Sequence, residues 1–169
     1  MATSCANSGQ PPNDPTGQPP AVPSEWQTFN DAAYAFAIDF PPAYVIQAEP
    51  AQPPDSPRPA LRRVRFQQPD IAAGQFADRE PPKFTIEVFE RIRGQALREW
   101  LQSAGRLPAD AVLTAVRLPG AQEGVRITMR QLLAPNDFVY FARGDYVYGL
   151  TPLGEHGERM LASFRFVDR

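Results

Sequence analysis

A chain of 169 residues with 17 basic and 19 acidic side chains carries a formal charge of −2, and its cations run together no further than Arg62-Arg63-Val-Arg65, so nothing in it favours nucleic acid. With 43% hydrophobic residues it can bury enough apolar surface to offset chain entropy, yet no apolar run approaches the length that crosses a bilayer. The one cysteine, Cys5, excludes an internal disulfide and any CxxC type of zinc or redox site.

Residues 1–25 are expected to bury nothing. Cys5 leads into Ala6-Asn-Ser-Gly-Gln-Pro-Pro-Asn-Asp-Pro-Thr-Gly-Gln-Pro-Pro-Ala-Val-Pro-Ser24, a spacer rich in Pro, Gly, Ser and Gln that reads as a tether. The first large apolar side chain is Trp26, and residues 26–169 are the size of one domain. Small residues before a lone cysteine (Ala2-Thr3-Ser4), followed by such a spacer, resemble the mature start of a bacterial lipoprotein. The resemblance implies lipid attachment at Cys5 and an extracytoplasmic domain held to a bacterial membrane through that anchor only. Stable anchoring then requires several acyl chains, since one holds a protein only marginally. Met1-Ala-Thr-Ser4 has neither the charged nor the apolar segment of a signal peptide, and the reading expects that leader upstream.

Within the domain, Tyr34-Ala-Phe-Ala-Ile-Asp-Phe40 alternates, with Tyr34, Phe36, Ile38 and Phe40 on one face of a strand. Pro41-Pro42 ends its ladder, and Ala43 to Gln47 resumes extended structure. Residues 50–59 hold five prolines and read as a stiff surface loop. Leu61–Gln67 and Lys83–Arg91 are strands, the first turning Val64 and Phe66 one way and Arg63 and Arg65 the other. The insertion between them, Gln68 to Pro82, is too long for a tight hairpin, and Ile71 and Phe76 suggest a helical turn or a folded-over flap. Leu97, Trp100, Leu101 and Ala104 fall at helical spacing, with Gly105 where a C-terminal cap belongs. Strands follow at Ala111–Leu118, Val125–Leu133, Phe138–Phe141 and Tyr146–Leu150. The run Phe138-Val-Tyr-Phe141 does not alternate, which implies a strand covered on both faces. A helix over Glu155–Ala162 and a strand over Phe164–Val167 close the chain. Antiparallel hairpins with helices set apart make an α+β pattern.

Four of these patterns, in order, resemble the PsbP-like superfamily: Tyr34-Ala-Phe-Ala-Ile-Asp-Phe-Pro41, the helix with Leu97 and Trp100, the meander from Val112 to Leu150, and Glu158-Arg-Met-Leu-Ala-Ser-Phe-Arg-Phe166. The resemblance spans about residues 26–169 and implies a central antiparallel sheet with helices on both faces, an α/β/α sandwich. It implies no chemistry, because members are mostly binding or assembly proteins and fold does not carry function.

No residues announce a reaction. His156 is the only histidine; Glu155, His156 and Glu158 lack the spacing of a metal site, and the histidine reads as an exposed residue near a helix start. Ser163 lies in no Gly-x-Ser-x-Gly elbow and reads as a helix-end serine bonding the backbone. Cys5 has no histidine beside it to lower its pKa. The glycines sit as turn and cap residues, without a phosphate-cradling motif. At least half of Tyr140, Phe141, Tyr146 and Tyr148 belong in the core of so small a domain.

Two arginine sets remain, Arg62/Arg63/Arg65 and Arg91/Arg93, on strands that can be neighbours. With Asp70, Asp78, Glu87 and Glu90 nearby in sequence they read as cross-strand ion pairs on a solvated face, or as a surface for an anionic ligand or partner. The expected function is a non-enzymatic extracytoplasmic binding or assembly domain that takes a protein partner or a small ligand and needs no cofactor or metal. Arg63, Arg65, Asp70, Phe76, Arg91 and Arg93 are its candidate contacts, with the long loops 50–59 and 68–82 as contact regions. The alternatives are a hydrolase or other enzyme with an unrecognised site, and a structural subunit of an envelope or photosynthetic complex.

Overall fold

The computed structural model describes residues 25–49, 51–53, 59–74, 80–129 and 137–168. The tether with Cys5, part of the proline-rich loop, and Phe76 and Asp78 lie outside the described residues, as does the end of the strand expected to reach Leu133. In chain order the elements are β1 (Gln27–Asp31), β2 (Phe36–Phe40), β3 (Val45–Glu49), β4 (Arg62–Gln67), α1 (Pro69–Ala73), β5 (Phe84–Glu90), α2 (Leu97–Ser103), β6 (Val112–Ala115), β7 (Glu123–Thr128), β8 (Asp137–Arg143), β9 (Tyr146–Pro152), α3 (Gly157–Ser163) and β10 (Arg165–Phe166).

The strands form two antiparallel sheets, a seven-stranded one in the order β3-β4-β5-β9-β8-β7-β6 and a three-stranded one in the order β1-β2-β10. Phe84, Ile86 and Val88 of β5 and Tyr148 and Leu150 of β9 turn one face of the large sheet toward Phe36, Ile38 and Phe40 of β2 and Met160 of α3. Phe89, Tyr140 and Val147 turn the other face toward Leu97, Trp100 and Leu101 of α2. Helices therefore lie on both faces of a central antiparallel sheet, and the class is α+β. Burying each of the largest apolar side chains contributes about 1.5–3 kcal/mol, and Phe36, Phe66, Phe84 and Phe164 are all fully buried.

The strand without alternation behaves as its sequence requires. On β8, Val139 and Phe141 enter the first core while Tyr140 and Ala142 enter the second, so an apolar side chain is favoured at every position. At the end of α2, Gly105 has φ of 58°; its N–H bonds Gln102 O and the N–H of Arg106 bonds Leu101 O, which closes the last turn.

Two features depart from the sequence reading. β1, Gln-Thr-Phe-Asn-Asp, has no apolar alternation, and pairs with β2 through its backbone while Phe29 packs on Phe36 and Phe66. The strand expected over Tyr34–Phe40 begins only at Phe36, because Asp31 Oδ1 accepts the N–H of Tyr34 at 3.2 Å and Ala35 has φ of 53°. A side chain that bonds the backbone three residues on makes a turn where alternation alone reads a strand.

Candidate functional site

β5 leaves the sheet at Arg91, whose side chain is only 4% exposed. Its Nη1 donates to Gln95 O at 3.0 Å, and its Nη2 to Gln122 Oε1 and to Gly144 O, both at 2.6 Å. One buried guanidinium thus fixes three loops, β5–α2, β6–β7 and β8–β9. Its Nε has no hydrogen-bond partner among the described residues, and the nearest carboxylate, Glu123 Oε1, is 4.0 Å away. The carboxylate of Glu123 is held elsewhere, accepting the N–H of Leu97 at 3.2 Å on both oxygens.

The residues that follow Arg91 point outward. Ile92 is 75% exposed and the Arg93 side chain 87% exposed. Arg93 Nε and Nη2 donate to the two carboxylate oxygens of Asp145 at 3.0 and 3.1 Å, a bidentate pair. The hydrogen bonds from Arg93 hold the Asp145 carboxyl below its ordinary pKa, and Asp145 in turn raises that of the guanidinium. Between these groups lies a cleft of about 460 Å³ lined by Arg91, Arg93, Gln95, Gln122 and Glu123.

On the other side of Gly144 a second cleft of about 310 Å³ is lined by Ala35, Arg143, Asp145, Tyr146 and Tyr148. Gly144, with φ of 56°, takes the first central position of a two-residue hairpin turn, where positive φ matches the strand twist. Arg143 stacks 4.7 Å from the Phe166 ring centroid and donates to Ala35 O and Val167 O, each at 3.3 Å. The end of the sheet therefore offers two clefts whose walls carry both arginines and carboxylates, with the exposed Ile92 adjoining Arg91 and Arg93 in the chain, on loops fixed from beneath. Such a surface can dock an acidic group together with an apolar side chain.

The candidate contacts read from sequence do not form one patch. Arg91 and Arg93 share the cleft. Arg63 sits mid-sheet, its Nε and Nη2 bonded to Glu87 Oε1 at 2.9 and 2.7 Å and its Nη1 3.6 Å from Glu49, and Arg65 pairs with Glu49 as well. These are the cross-strand ion pairs expected of a solvated face, and Arg106 extends them to Glu87 at 3.6 Å while lying 4.2 Å over the Phe89 ring. Asp70 is exposed on α1, which follows β4 at the Phe84 end of β5, opposite the Arg91 end.

Ile92, Gln122 and Asp145 were not singled out from sequence. Ile92 continues the phase of Phe84, Ile86 and Val88 but lies beyond the strand expected over Lys83–Arg91, and the observed strand ends before it as well. The available signal was Arg91-Ile-Arg-Gly94, an apolar residue between two cations just ahead of a helix.

The remaining groups have structural contacts. His156 stands half-exposed at the start of α3, with ring contacts to Trp26 and Tyr44 and its Nε2 3.2 Å from Glu155. Ser163 Oγ donates to Met160 O at 2.7 Å and accepts the N–H of Asp39 at 2.9 Å. Tyr140, Phe141 and Tyr148 are buried, and Tyr146 is half-buried against Tyr34.

No family model and no curated protein matches this chain. Among solved structures, the solution structure of cyanobacterial PsbP (CyanoP) from Synechocystis sp. PCC 6803 is similar, with a TM-score of 0.49 and 11% identity over 91% of this chain and 99% of that one.

Proposed function

We propose that this chain is a non-enzymatic, extracytoplasmic binding or assembly domain, tethered to a bacterial membrane by lipid on Cys5, that docks a protein partner at the Arg91–Arg93 end of its sheet. The observation that carries the docking site is the contrast within three residues. Arg91 is buried and ties three loops together, whereas Ile92 and Arg93 project from that fixed base. An exposed apolar residue beside an arginine, on a preorganised loop, loses little conformational entropy on binding. The partner's acidic group exchanges with Asp145 for Arg93, and its apolar neighbour covers Ile92.

The tether supports the cellular setting, since a Pro/Gly/Ser/Gln spacer after one cysteine gives reach from a membrane surface. Among the described residues no helix is long and apolar enough to cross a membrane.

Affinity capture from solubilised membranes of the source organism tests this reading, with the full chain as bait and Ile92→Asp/Arg93→Glu as control. The expected result is one protein in near-stoichiometric amount on the wild-type bait and its loss from the variant. Equal recovery on both baits would move the site elsewhere; recovery of no protein would replace the protein partner by a small ligand. Cys5→Ala should release the protein from the membrane fraction, and retention of that variant would remove the lipid anchor from the proposal.

A further inference from the structure

Beside the second core, α2 and the segment leading into β4 leave a cleft of about 230 Å³ against the sheet. Leu61, Phe89, Trp100 and Ala104 line it with apolar surface, and Arg106, just past the end of α2, stands in the same wall. Phe89 and Trp100 are buried with their ring centroids 5.4 Å apart, so the core behind them fixes these walls. The Trp100 indole N–H donates to Glu90 O at 3.0 Å. Along β5, Glu90 has the phase of Ile86 and Val88, which turns its carboxylate to the opposite face of the sheet. Arg106 is therefore the charged side chain of the cleft.

Arg106 is held by packing more than by hydrogen bonds. Its guanidinium lies 4.2 Å over the Phe89 ring, and its side chain is only 19% exposed. Nη1 is 3.5 Å from Tyr140 Oη and 3.6 Å from Glu87 Oε2, and Nε is buried without a hydrogen-bond partner among the described residues. Arg63 and Arg91, by contrast, donate at 2.6–3.0 Å. A guanidinium shielded from water is fully stabilised only by short bonds to a charged acceptor, and Glu87 gives its short bonds to Arg63. The ion-pair network joins Arg63, Arg65 and Arg106 to Glu49 and Glu87, one cation more than its anions. One further carboxylate would balance it.

We propose that this cleft binds a small aromatic carboxylate, with its ring against Leu61, Phe89 and Trp100 and its carboxylate on the Arg106 guanidinium. The volume fits such a ligand. An apolar cavity of about 150 Å³ is enough for benzene, and 230 Å³ leaves room for a ring with a short acid arm. Aromatic walls favour a ring through edge and offset contacts, while a single convergent polar group fixes its orientation. Ring burial supplies the affinity and the ion pair selects the anion, because a neutral ring would leave Arg106 as poorly bonded as before. The site does not depend on docking at the Arg91 end, since neither Ile92 nor Arg93 lines it.

The chain has two tryptophans, and they serve as reporter and control. Trp100 lines the cleft, whereas Trp26 lies against Arg159 and His156. NMR titration of the full, isotope-labelled chain with phenylacetate should move the Trp100 indole N–H resonance along a saturable curve, with a dissociation constant of about 1 mM or tighter, and leave that of Trp26 in place. Acetate, which lacks the ring, and benzyl alcohol, which lacks the charge, should each bind about tenfold more weakly or worse. Arg106→Gln should erase the preference for phenylacetate over benzyl alcohol. Ala104→Phe, which fills the cleft from a half-buried position, should abolish the Trp100 shift with either probe and leave the rest of the spectrum folded. Failure to approach saturation by about 20 mM phenylacetate, equal movement of Trp26, or equal affinity for benzyl alcohol overturns the proposal. So does a Trp100 shift that survives Ala104→Phe.

Discussion

The Arg91 guanidinium donates to the carbonyl oxygen of Gly144 at 2.6 Å, while the Arg91 N–H donates to the carbonyl of Asp145 at 2.9 Å. One residue at the end of β5 thus grips the β8–β9 turn through both its backbone and its side chain. The same guanidinium reaches Gln95 and Gln122, so the cleft exists because a charge is buried under it. Arg91→Ala leaves several buried acceptors without donors and should cost about 2–4 kcal/mol, the range for breaking a buried charged hydrogen-bond set. Urea denaturation measures this. Arg93→Ala removes an exposed, solvent-screened pair and should leave the urea midpoint close to that of the wild type while abolishing partner capture. A stability loss at Arg93 as large as that at Arg91 would show that both residues are structural.

The Asp145 carboxyl should titrate below its ordinary range, because Arg93 hydrogen-bonds its charged form. A carboxylate whose folded pKa is depressed contributes stability that is present above the unfolded value and is lost as pH falls through the folded one. The relevant window therefore lies below the ordinary Asp value of 3.8. Carboxyl carbon NMR titration should place the midpoint below that value in the wild type and return it upward in Arg93→Ala. Identical midpoints in the two proteins would mean that the pair does not form in solution.

Gly124 is fixed by contact and not by backbone conformation. A Cβ built there would lie 2.6 Å from Val116 O and 2.7 Å from Phe141 Cδ1. The oxygen belongs to the backbone beside β6, and the ring is buried in the first core, so neither can move cheaply. Gly124→Ala should lower stability by about 1–3 kcal/mol through overpacking, read as a drop in melting temperature. The same change at Gly144, where no atom lies within 4 Å of a Cβ but φ is 56°, should cost about 1 kcal/mol through strain alone.

The insertion between β4 and β5 carries the other contact region expected from sequence, and α1 within it buries no residue. The pairing of β4 with β5 runs from Arg62 opposite Val88 to Phe66 opposite Phe84, complete without α1. Replacing residues 68–80 with a short Gly/Asn turn should leave the melting temperature within about 4 °C, a change of under about 1 kcal/mol for a domain of this size. Retained capture by this variant, together with loss in the Ile92/Arg93 variant, places the contact at the Arg91 end. The opposite pattern would transfer it to Asp70 and its neighbours.

Elements whose signal is local were legible in the amino-acid order. Periodicity identified β4, β5 and α2, the unbroken apolar run implied two buried faces for β8, and Gly105 marked the end of α2. The pairing of Arg63 with Glu87 was legible too, because both lie on outward positions of strands that alternate. Tertiary structure decided what depends on partners distant in the chain. β1 has almost no apolar signal and exists because β2 supplies its hydrogen bonds; β10, two residues long, closes the small sheet against β2. The division into two sheets, with a core on each side of the larger, follows from these long-range pairings. The site belongs to the same class. Periodicity reports which face a side chain takes while the strand lasts, and Ile92 lies just past the strand expected over Lys83–Arg91, where it says nothing. The tertiary structure shows that the buried Arg91 guanidinium bonds three loops and that Ile92 and Arg93 beyond it face water.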